Sequence, residues 1–476
     1  MKNTLFSNKI ILIVILFIAV LARSYSLMAF MHKYHISVHE NGLAAYPQID
    51  DSQLYYHTAV NLIEGKGYTF TITDTFRYPV GADAFKPSPI PGTYYNNHYP
   101  PLYSFFLSVL YRLFGTSILV YAVPHIILGT LSCYLTYLLA KEAFSSTVGL
   151  IAGFLLSIYP PIVWWTSYLR SENLFIPLQL LTILFLIRAA KNNLDVKNTV
   201  LSGILCALSF LCRNVALYLP VFIVFYFLIV FFKKAKKKLL IGIILFLLAF
   251  YLPLLPWGYR NYMTYGTFSV TTVEDWDAFY MLNNEQEART PLLELYRIKY
   301  DPKVNNTMSS KEKELAGKSF VKQHPLKYAK LCLKRFLAYW GPTTQKPSLL
   351  KKIADTLIYI AVFPMAFWGF CRSRWWSFTD AGFKPIPALL ITVILYYTAL
   401  HSLVSVDDGL IYRYPIIPLI CIFSAYGFSE FQYVTHKKKG SQFRQTLQTH
   451  PGTRLPSPTE LTHYRIHRSK TVPSGN

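Results

Sequence analysis

The chain has 476 residues, of which 53% are hydrophobic and 15% are charged. Soluble domains average roughly 25% charged residues, so this composition excludes an ordinary soluble protein, a disordered chain and a small disulfide-rich scaffold. The net charge is +23, from 47 basic and 24 acidic residues. The basic residues lie in short runs between long apolar segments, which is typical of a protein that crosses a membrane several times and not of a nucleic-acid-binding protein.

The apolar segments predict membrane-spanning helices. A helix needs roughly 20 apolar residues to cross about 30 Å of hydrocarbon. Ten segments are predicted to cross, the fifth of them short: residues 10–30, 118–140, 148–169, 174–190, 200–211, 215–232, 239–256, 353–370, 386–403 and 411–428. No cleavage site follows the first, so we expect it to stay as a signal anchor. The predicted fold class is therefore all-α, polytopic, with about ten transmembrane helices.

The distribution of Lys and Arg predicts the orientation. The short loops that carry most of these residues face the cytoplasm in bacterial membrane proteins. With the N-terminus in the cytoplasm, the basic loop at 233–238 also lies there, and the opposite short turns hold only Arg170, Arg213 and Arg413. The membrane-embedded region is expected over residues 1–430. Residues 431–476 are polar and are expected to form a disordered cytoplasmic tail.

Two long outer segments are predicted, at about 32–117 and 258–352. Within the first, residues 101–114 are apolar but too short to cross; the Pro-Pro start and Gly115 at the end predict a helix that lies in the interface. Residues 52–63 predict another helix, with Asp51 or Ser52 as its N-cap and Gly65 beyond its end. The first outer loop therefore carries interfacial helices.

Isolated charged residues concentrate at the predicted outward ends of the spans. Five of them are arginines, which cannot serve the positive-inside rule there: Arg23, Arg170, Arg213, Arg260 and Arg413. Two interpretations stay open. The arginines either contact the headgroups of surrounding lipids or form a basic ring around a cavity that binds a phosphate-bearing lipid, because guanidinium binds phosphate bidentately. Glu172 is expected on the same face, where Arg170 is one possible partner.

The order of the polar motifs resembles a known superfamily. The motifs are Arg23; Asp51-Ser52-x-x-Tyr55, followed by Gly65 and Gly67; Tyr99-Pro100-Pro101; Arg170-Ser171-Glu172; Pro256-Trp257-Gly258-Tyr259-Arg260-Asn261-Tyr262; Asn283-Asn284; and Arg413-Tyr414-Pro415. Over about residues 10–430 this order resembles the membrane-embedded GT-C glycosyltransferases, in particular the bacterial protein O-mannosyltransferase and aminoarabinose transferase type.

The resemblance implies a transferase of the cell (inner) membrane with its active site facing the periplasm or exterior. The donor would be a sugar on a polyprenyl or dolichyl phosphate, and the acceptor a hydroxyl of a protein, glycan or lipid. The family's catalytic base is an acidic residue of the first outer loop, which matches Asp51. Many relatives have Glu at the next position, where this chain has Ser52, so the adjacent Asp50 stays a second candidate.

The remaining candidate residues are expected to bind substrate. These are Arg260, Arg413, Arg213, Arg23, Glu172, Tyr55, Tyr259 and Tyr262. Arg260 is the first choice for the lipid phosphate, since Trp257 stands at headgroup level and Tyr259 and Tyr262 are expected to flank the guanidinium with hydroxyl groups. No metal site or other cofactor is predicted, and a requirement for a divalent cation stays open.

Other functional classes compete with the transferase. A transporter or flippase for lipid-linked sugars would also use outward arginines, but it should contain inverted repeats and charges within its spans. A polymerase or ligase of lipid-linked glycans would suit the second long outer segment equally well. Charges at the outer surface and long outer loops favour an enzyme with an active site at that surface.

Overall fold

The computed structural model describes residues 2–37, 50–72, 85–231, 236–271, 283–290, 310–341, 349–373, 385–404 and 411–449. Within these ranges the helices are α1 (Lys2–Lys33), α2 (Asp50–Ile63), α3 (Pro101–Phe114), α4 (Ile118–Ala143), α5 (Ser146–Ser157), α6 (Pro160–Trp165), α7 (Glu172–Lys191), α8 (Val196–Cys212), α9 (Leu219–Phe231), α10 (Lys236–Tyr251), α11 (Leu255–Tyr265), α12 (Glu285–Arg289), α13 (Ser310–Gln323), α14 (Pro325–Trp340), α15 (Leu349–Arg372), α16 (Pro385–Leu403) and α17 (Ile417–Thr449).

Short elements complete the described chain. Single 3₁₀ turns occupy Asn214–Ala216, Leu252–Leu254 and Ile411–Arg413. The strands β1 (Thr69–Thr71) and β2 (Thr93–Tyr95) pair antiparallel, with Thr69 opposite Tyr95. The chain forms two compact units, Met1–Gly427 and Phe428–Asn476.

Hydropathy and helix length confirm the all-α, polytopic fold class. In the described ranges, six helical segments are long and apolar enough to cross a membrane: Ser7–Lys33, Ile118–Ala143, Glu172–Lys191, Asn214–Phe231, Lys236–Tyr265 and Pro385–Leu403. Shorter apolar helices occupy Pro101–Phe114, Ser146–Ser157, Val196–Cys212 and Thr356–Arg372. The predicted interfacial helix is present as α3, with Pro101 in its first turn and Gly115 as its C-cap at φ 81°.

The predicted span at 148–169 is wrong as a single helix. Its first part is α5, which has 12 residues and is about 18 Å long, too short for the hydrocarbon core. Pro160 and Pro161 then start the separate helix α6. Proline lacks an amide N–H and is tolerated in the first turn of a helix but not in its interior, so the proline pair divides the segment.

The last predicted span also begins later than expected. Residues 411–413 form a 3₁₀ turn, and α17 starts at Ile417, after Pro415. This helix continues to Thr449, so residues 431–449 are helical where an irregular tail was expected. No proline interrupts this stretch before Pro451.

Helix packing brings the first outer segment to the ends of the spans. α7 packs against α8 and α4, and α8 also packs against α10. α2 packs on α3 and β1, and α3 contacts α4 and α8. The N-terminal part of α2 consequently lies at the segment that joins α6 to α7.

Arg23 does not occupy the predicted outward end of the first span. α1 continues ten residues beyond it, about 15 Å, and the Arg23 side chain is 0% exposed. Its Nη1 donates to the carbonyl oxygens of Ala19 at 3.2 Å and Ser157 at 3.4 Å. A Cβ at Gly129 would collide with its Nε. The guanidinium therefore lies inside the helix bundle, at the C-terminal end of α5.

Candidate active site

One face of α2 is fixed to the turn that precedes α7. Ser52 Oγ donates to the carbonyl oxygen of Leu169 at 3.1 Å, and the Tyr55 hydroxyl donates to Ser171 Oγ at 3.0 Å. Residues three apart share a helix face, so both bonds hold the same side of α2. Burial raises the pKa of Tyr55 well above its usual value, and the phenol therefore stays protonated as a donor.

Asp51 projects from this helix toward Arg170. Arg170 Nη1 donates to Asp51 Oδ2 in an ion pair, and the Asp51 side chain keeps 33% of its surface exposed. The Arg170 guanidinium also lies 5.4 Å from the ring centroid of Trp165. The expected N-cap role is not observed, because α2 begins at Asp50 and Asp51 belongs to its first turn. Asp50 precedes it directly, and its side chain lies outside the described part.

Glu172 pairs with Arg213 and not with Arg170. Glu172 Oε1 lies 2.7 Å from Arg213 Nη1, and the Glu172 side chain is 2% exposed. Arg213 Nη1 also donates to Ser171 Oγ at 3.0 Å, the atom that accepts from Tyr55. The two ion pairs thus join three chain segments, and neither closes within the Arg170-Ser171-Glu172 motif.

A small cavity lies beside Glu172. It has a volume of about 10 Å³, room for about one water molecule, and is lined by Gly129, Ser132, Leu156, Ile162, Thr166, Glu172, Asn173 and Ile176. Among the described residues, Glu172 Oε2 has no hydrogen-bond partner. A buried carboxylate oxygen without a protein partner is a typical position for an internal water. No cluster of three or more metal-ligating side chains occurs in the described ranges.

Arg260 lies in a cage of aromatic rings. Its guanidinium is 4.9 Å from the ring centroid of Trp257, 5.4 Å from Tyr68, 5.5 Å from Tyr265 and 5.7 Å from Tyr95. Its Nη2 donates to the carbonyl oxygen of Tyr68 at 3.1 Å. Arg260 therefore connects α11 to the β1–β2 hairpin. Tyr68 and Tyr95 were not among the predicted site residues, and their only signal in the sequence is the density of tyrosines in the first outer segment.

Tyr259 and Tyr262 do not flank Arg260 as expected. Both side chains are more than half exposed, at 61% and 52%. Positions one before and two after a residue lie about 100° and 200° around the helix from it. Two of the rings around the guanidinium belong to the same helix, Trp257 three residues before Arg260 and Tyr265 five residues after it. The other two rings come from the segment that contains the β1–β2 hairpin.

The Arg260 cage and the α2 site are linked through tyrosines. The Tyr68 hydroxyl donates to the carbonyl oxygens of Tyr99 at 3.0 Å and Pro100 at 3.1 Å. The Tyr99 ring lies 4.5 Å from that of Tyr55. Arg260 and Asp51 thus belong to one packed region, although they are far apart in sequence.

Arg413 lies in the 3₁₀ turn before α17 and is buried. Its guanidinium is 5.7 Å from the Phe363 ring centroid. The neighbouring Tyr414 ring is 5.5 Å from Trp165, the ring that Arg170 covers. The Arg413 turn therefore borders the Asp51–Arg170 pair. A further buried arginine, Arg335 of α14, was not among the predicted candidates.

Comparison with known proteins matches part of the chain to a family. Residues 98–257 match the family described as dolichyl-phosphate-mannose-protein mannosyltransferase. The matched range contains Glu172 and Arg213, begins after Asp51 and ends before Arg260. No curated protein sequence matches the chain.

Solved structures of an archaeal oligosaccharyltransferase share the fold over most of the chain. The archaeal oligosaccharyltransferase AglB from Archaeoglobus fulgidus, in complex with an inhibitory peptide and a dolichol-phosphate, matches with a TM-score of 0.57 and 16% identity, covering 98% of this chain and 54% of that one. Its apo form gives a TM-score of 0.56 at 16% identity, covering 97% and 54%. ArnT from Cupriavidus metallidurans bound to undecaprenyl phosphate gives 0.48 at 13% identity, covering 86% and 60%.

These comparisons confirm the resemblance to the GT-C glycosyltransferases at the level of the fold. The chain spans about half the length of the archaeal oligosaccharyltransferase that it matches.

Proposed function

We propose that this GT-C-fold protein is a glycosyltransferase that moves a sugar from a polyprenyl- or dolichyl-phosphate donor to a hydroxyl acceptor, with Asp51 as the general base. One observation carries the proposal. The Asp51 carboxylate is fixed by Arg170 at the end of a rigid helix, yet one third of its surface stays accessible. A base must be both positioned and within reach of its substrate.

The chemistry requires such a base because a hydroxyl group is a poor nucleophile. In the proposed step, the acceptor oxygen attacks the anomeric carbon of the donor sugar while Asp51 takes the hydroxyl proton. The bond between the anomeric carbon and the phosphate oxygen breaks, and the lipid phosphate leaves with its electron pair. Arg170 stabilises the negative charge of the carboxylate in the form that accepts a proton.

Arg260 is the best-placed candidate for the leaving phosphate. Its contacts in the described ranges are with neutral groups, namely aromatic rings, a carbonyl oxygen and the Asn261 amide. Its positive charge is therefore not compensated by a carboxylate there, in contrast to Arg213 beside Glu172. Uncompensated guanidinium groups aimed at developing negative charge stabilise the transition state.

The active site is proposed to face away from the cytoplasm. This orientation is supported by the excess of Lys and Arg in the loops at the opposite ends of the spans. The acceptor hydroxyl belongs to a protein, a glycan or a lipid. Asp50 stays the second candidate for the base. The candidate substrate contacts also include Tyr259, Tyr262 and Arg413.

A transporter of lipid-linked sugars is the second candidate, and the buried charge of Arg23 is the observation in its favour. Its contacts weaken this alternative. Arg23 donates to backbone carbonyls and contacts Cys133 Sγ at 3.6 Å, which is typical of an internal structural cation and not of a transport pathway.

Transfer of label tests the function directly. The full-length protein is incubated with a panel of radiolabelled polyprenyl-phosphate sugars and membrane extract, and the label is traced. Asp51→Asn keeps the size of the side chain but removes the proton acceptor, so transfer should fall by on the order of 100-fold, the usual contribution of a positioned base. Asp195→Asn is the matched control, because Asp195 also stands at a helix N-terminus, capping α8. Full transfer by Asp51→Asn would contradict the proposal.

A further inference from the structure

Helix α14 lies across the end of the predicted membrane span α16. The Tyr328 hydroxyl donates to the carbonyl oxygen of Leu403, the last residue of α16, at 2.8 Å. Arg335 Nη1 donates to the same oxygen at 3.4 Å and to Asn283 Oδ1 at 3.1 Å. Because α16 is long and apolar enough to cross the bilayer, a helix held at its terminus lies near the headgroup layer.

The two faces of α14 differ sharply. Leu331, Arg335, Ala338 and Tyr339 are buried against the protein. On the other side, large apolar side chains are exposed, with Leu326 at 79%, Leu333 at 59%, Leu337 at 48% and Phe336 at 41%. Leu326, Leu333 and Leu337 follow a spacing of seven and four residues, which places them in one stripe along the helix.

Positive charge borders this apolar stripe. The α14 sequence, PLKYAKLCLKRFLAYW, contains three lysines, one arginine and no acidic residue. Lys327 and Lys330 are exposed beside the stripe, and Lys322 is exposed at the end of α13. Of these, Lys327 contacts Glu285 at 2.8 Å. An apolar stripe with lysines on its flanks is typical of a helix that lies in the interface of an anionic membrane.

We propose that α14 is an in-plane membrane helix that binds anionic phospholipids at the Leu403 end of α16. The leucine stripe enters the boundary of the acyl chains, and Lys322, Lys327 and Lys330 contact lipid phosphates. A lipid surface fits this face better than a soluble partner, because α14 is held at the end of a membrane span and the charge of its lysines is complementary to anionic headgroups. The proposal does not depend on the transferase activity.

Lipid binding at this helix has a consequence for the rest of the protein. The Tyr339 hydroxyl, on the buried face of α14, contacts the carbonyl oxygen of Tyr412 at 3.4 Å. Tyr412 precedes Arg413 in the 3₁₀ turn that borders the Asp51–Arg170 pair. Anionic lipid should therefore stabilise the position of α14 and, through it, that of the Arg413 turn.

Amide hydrogen exchange in lipid nanodiscs tests the proposal locally. The full-length protein is reconstituted in discs of phosphatidylcholine alone or of phosphatidylcholine with phosphatidylglycerol, and exchange is followed in peptides covering residues 325–340. Each lysine near an anionic surface strengthens the interaction by about fivefold. We expect exchange in α14 to slow by on the order of tenfold or more when phosphatidylglycerol is present.

The triple variant Lys322→Gln/Lys327→Gln/Lys330→Gln should lose this difference between the two lipids. The matched control, Lys236→Gln/Lys237→Gln/Lys238→Gln, removes three lysines at the start of α10. It should leave the difference in α14 exchange between the two lipids unchanged. Equal exchange of α14 in both lipids would overturn the proposal. Protection of α14 by soluble dextran sulfate, with no protection by phosphatidylglycerol, would indicate a polyanionic partner and would also overturn the proposal. Protection that rises with protein concentration in neutral discs would indicate a second copy and would also overturn it.

Discussion

Asp51 and Arg170 form an ion pair although they are 119 residues apart in the chain. Asp51 lies in the first turn of α2, in the first outer segment, and Arg170 lies two residues before α7. The pair therefore couples the predicted catalytic helix to the bundle of membrane spans. Its geometry makes Arg170 a positioning residue for the proposed base.

Removal of Arg170 should lower transfer without abolishing binding of the donor. In Arg170→Gln the carboxylate of Asp51 loses its fixed partner, and small errors in position cost up to about 100-fold in rate. We expect a loss on the order of 10- to 100-fold in kcat with little change in KM. Steady-state kinetics of label transfer measures both.

The double variant Asp51→Asn/Arg170→Gln distinguishes positioning from an independent contribution. If Arg170 acts only through Asp51, the double variant should be no slower than Asp51→Asn alone, because residues that act as a unit are not additive. A loss equal to the product of the two single losses would show that Arg170 acts on its own.

The buried pair of Glu172 and Arg213 should matter for stability. Glu172→Gln leaves Arg213 with its charge uncompensated in a mostly buried site, which should cost roughly 3–5 kcal/mol. Thermal unfolding in detergent should show the lower Tm. Glu172→Gln/Arg213→Met should recover part of the loss, since no unpaired charge remains; a double variant as unstable as the single one would show that packing, not charge, causes the effect.

Arg260 should contribute to donor binding. Arg260→Ala is expected to weaken binding of the donor lipid in neutral detergent by about 1.5–3 kcal/mol, the range for a hydrogen bond to a charged group. Arg260→Lys should substitute poorly, because the planar fork is lost although the charge remains. Unchanged affinity with lower stability would show that Arg260 only clamps α11 to the β1–β2 hairpin. An effect in Arg413→Ala with none at Arg260 would assign the phosphate to the Arg413 turn.

Acid should destabilise the first outer segment through His57. Burial lowers the pKa of His57 to about 4, below its value of about 6.5 in an unfolded chain. Above pH 6.5 the residue is neutral in both states and has no effect. As the pH falls from about 6.5 toward about 4, the unfolded chain binds the proton first, so the free energy of unfolding decreases by roughly 2–3 kcal/mol.

The loss of Tm between pH 7 and pH 5 measures this effect in detergent. His57→Gln should lose less stability over the same range, because it removes the titrating group. An equal loss in both proteins would assign the acid sensitivity to other residues. His98, whose pKa burial also lowers to about 4, should add an effect of similar size over the same pH range.

The predicted orientation can be checked by labelling substituted cysteines in intact cells. A membrane-impermeant maleimide should label Lys66→Cys, in the first outer segment, but not Lys236→Cys, at the start of α10. The Lys66 side chain keeps 37% of its surface exposed and Lys236 is exposed, so accessibility in the protein does not explain a difference. Labelling at residue 236 would reverse the topology and place the Asp51 site in the cytoplasm.

Local sequence signals determined the elements of this protein. Long apolar runs predicted the spans, because the bilayer accepts only segments whose backbone hydrogen bonds close within the helix. The start of α3 at Pro101 and its end at Gly115 followed from the missing N–H of proline and the left-handed φ of glycine. The family motifs indicated the GT-C fold in the same way, through residue types at fixed spacing.

Only the tertiary structure decided which charges meet. The sequence placed Arg170 next to Glu172, but the fold pairs each with a residue from another segment, Asp51 and Arg213. It also buried Arg23 within the bundle. These outcomes depend on helix rotation and depth in the bundle, which hydropathy does not specify, because a buried charge is tolerated only where the packing supplies its partners.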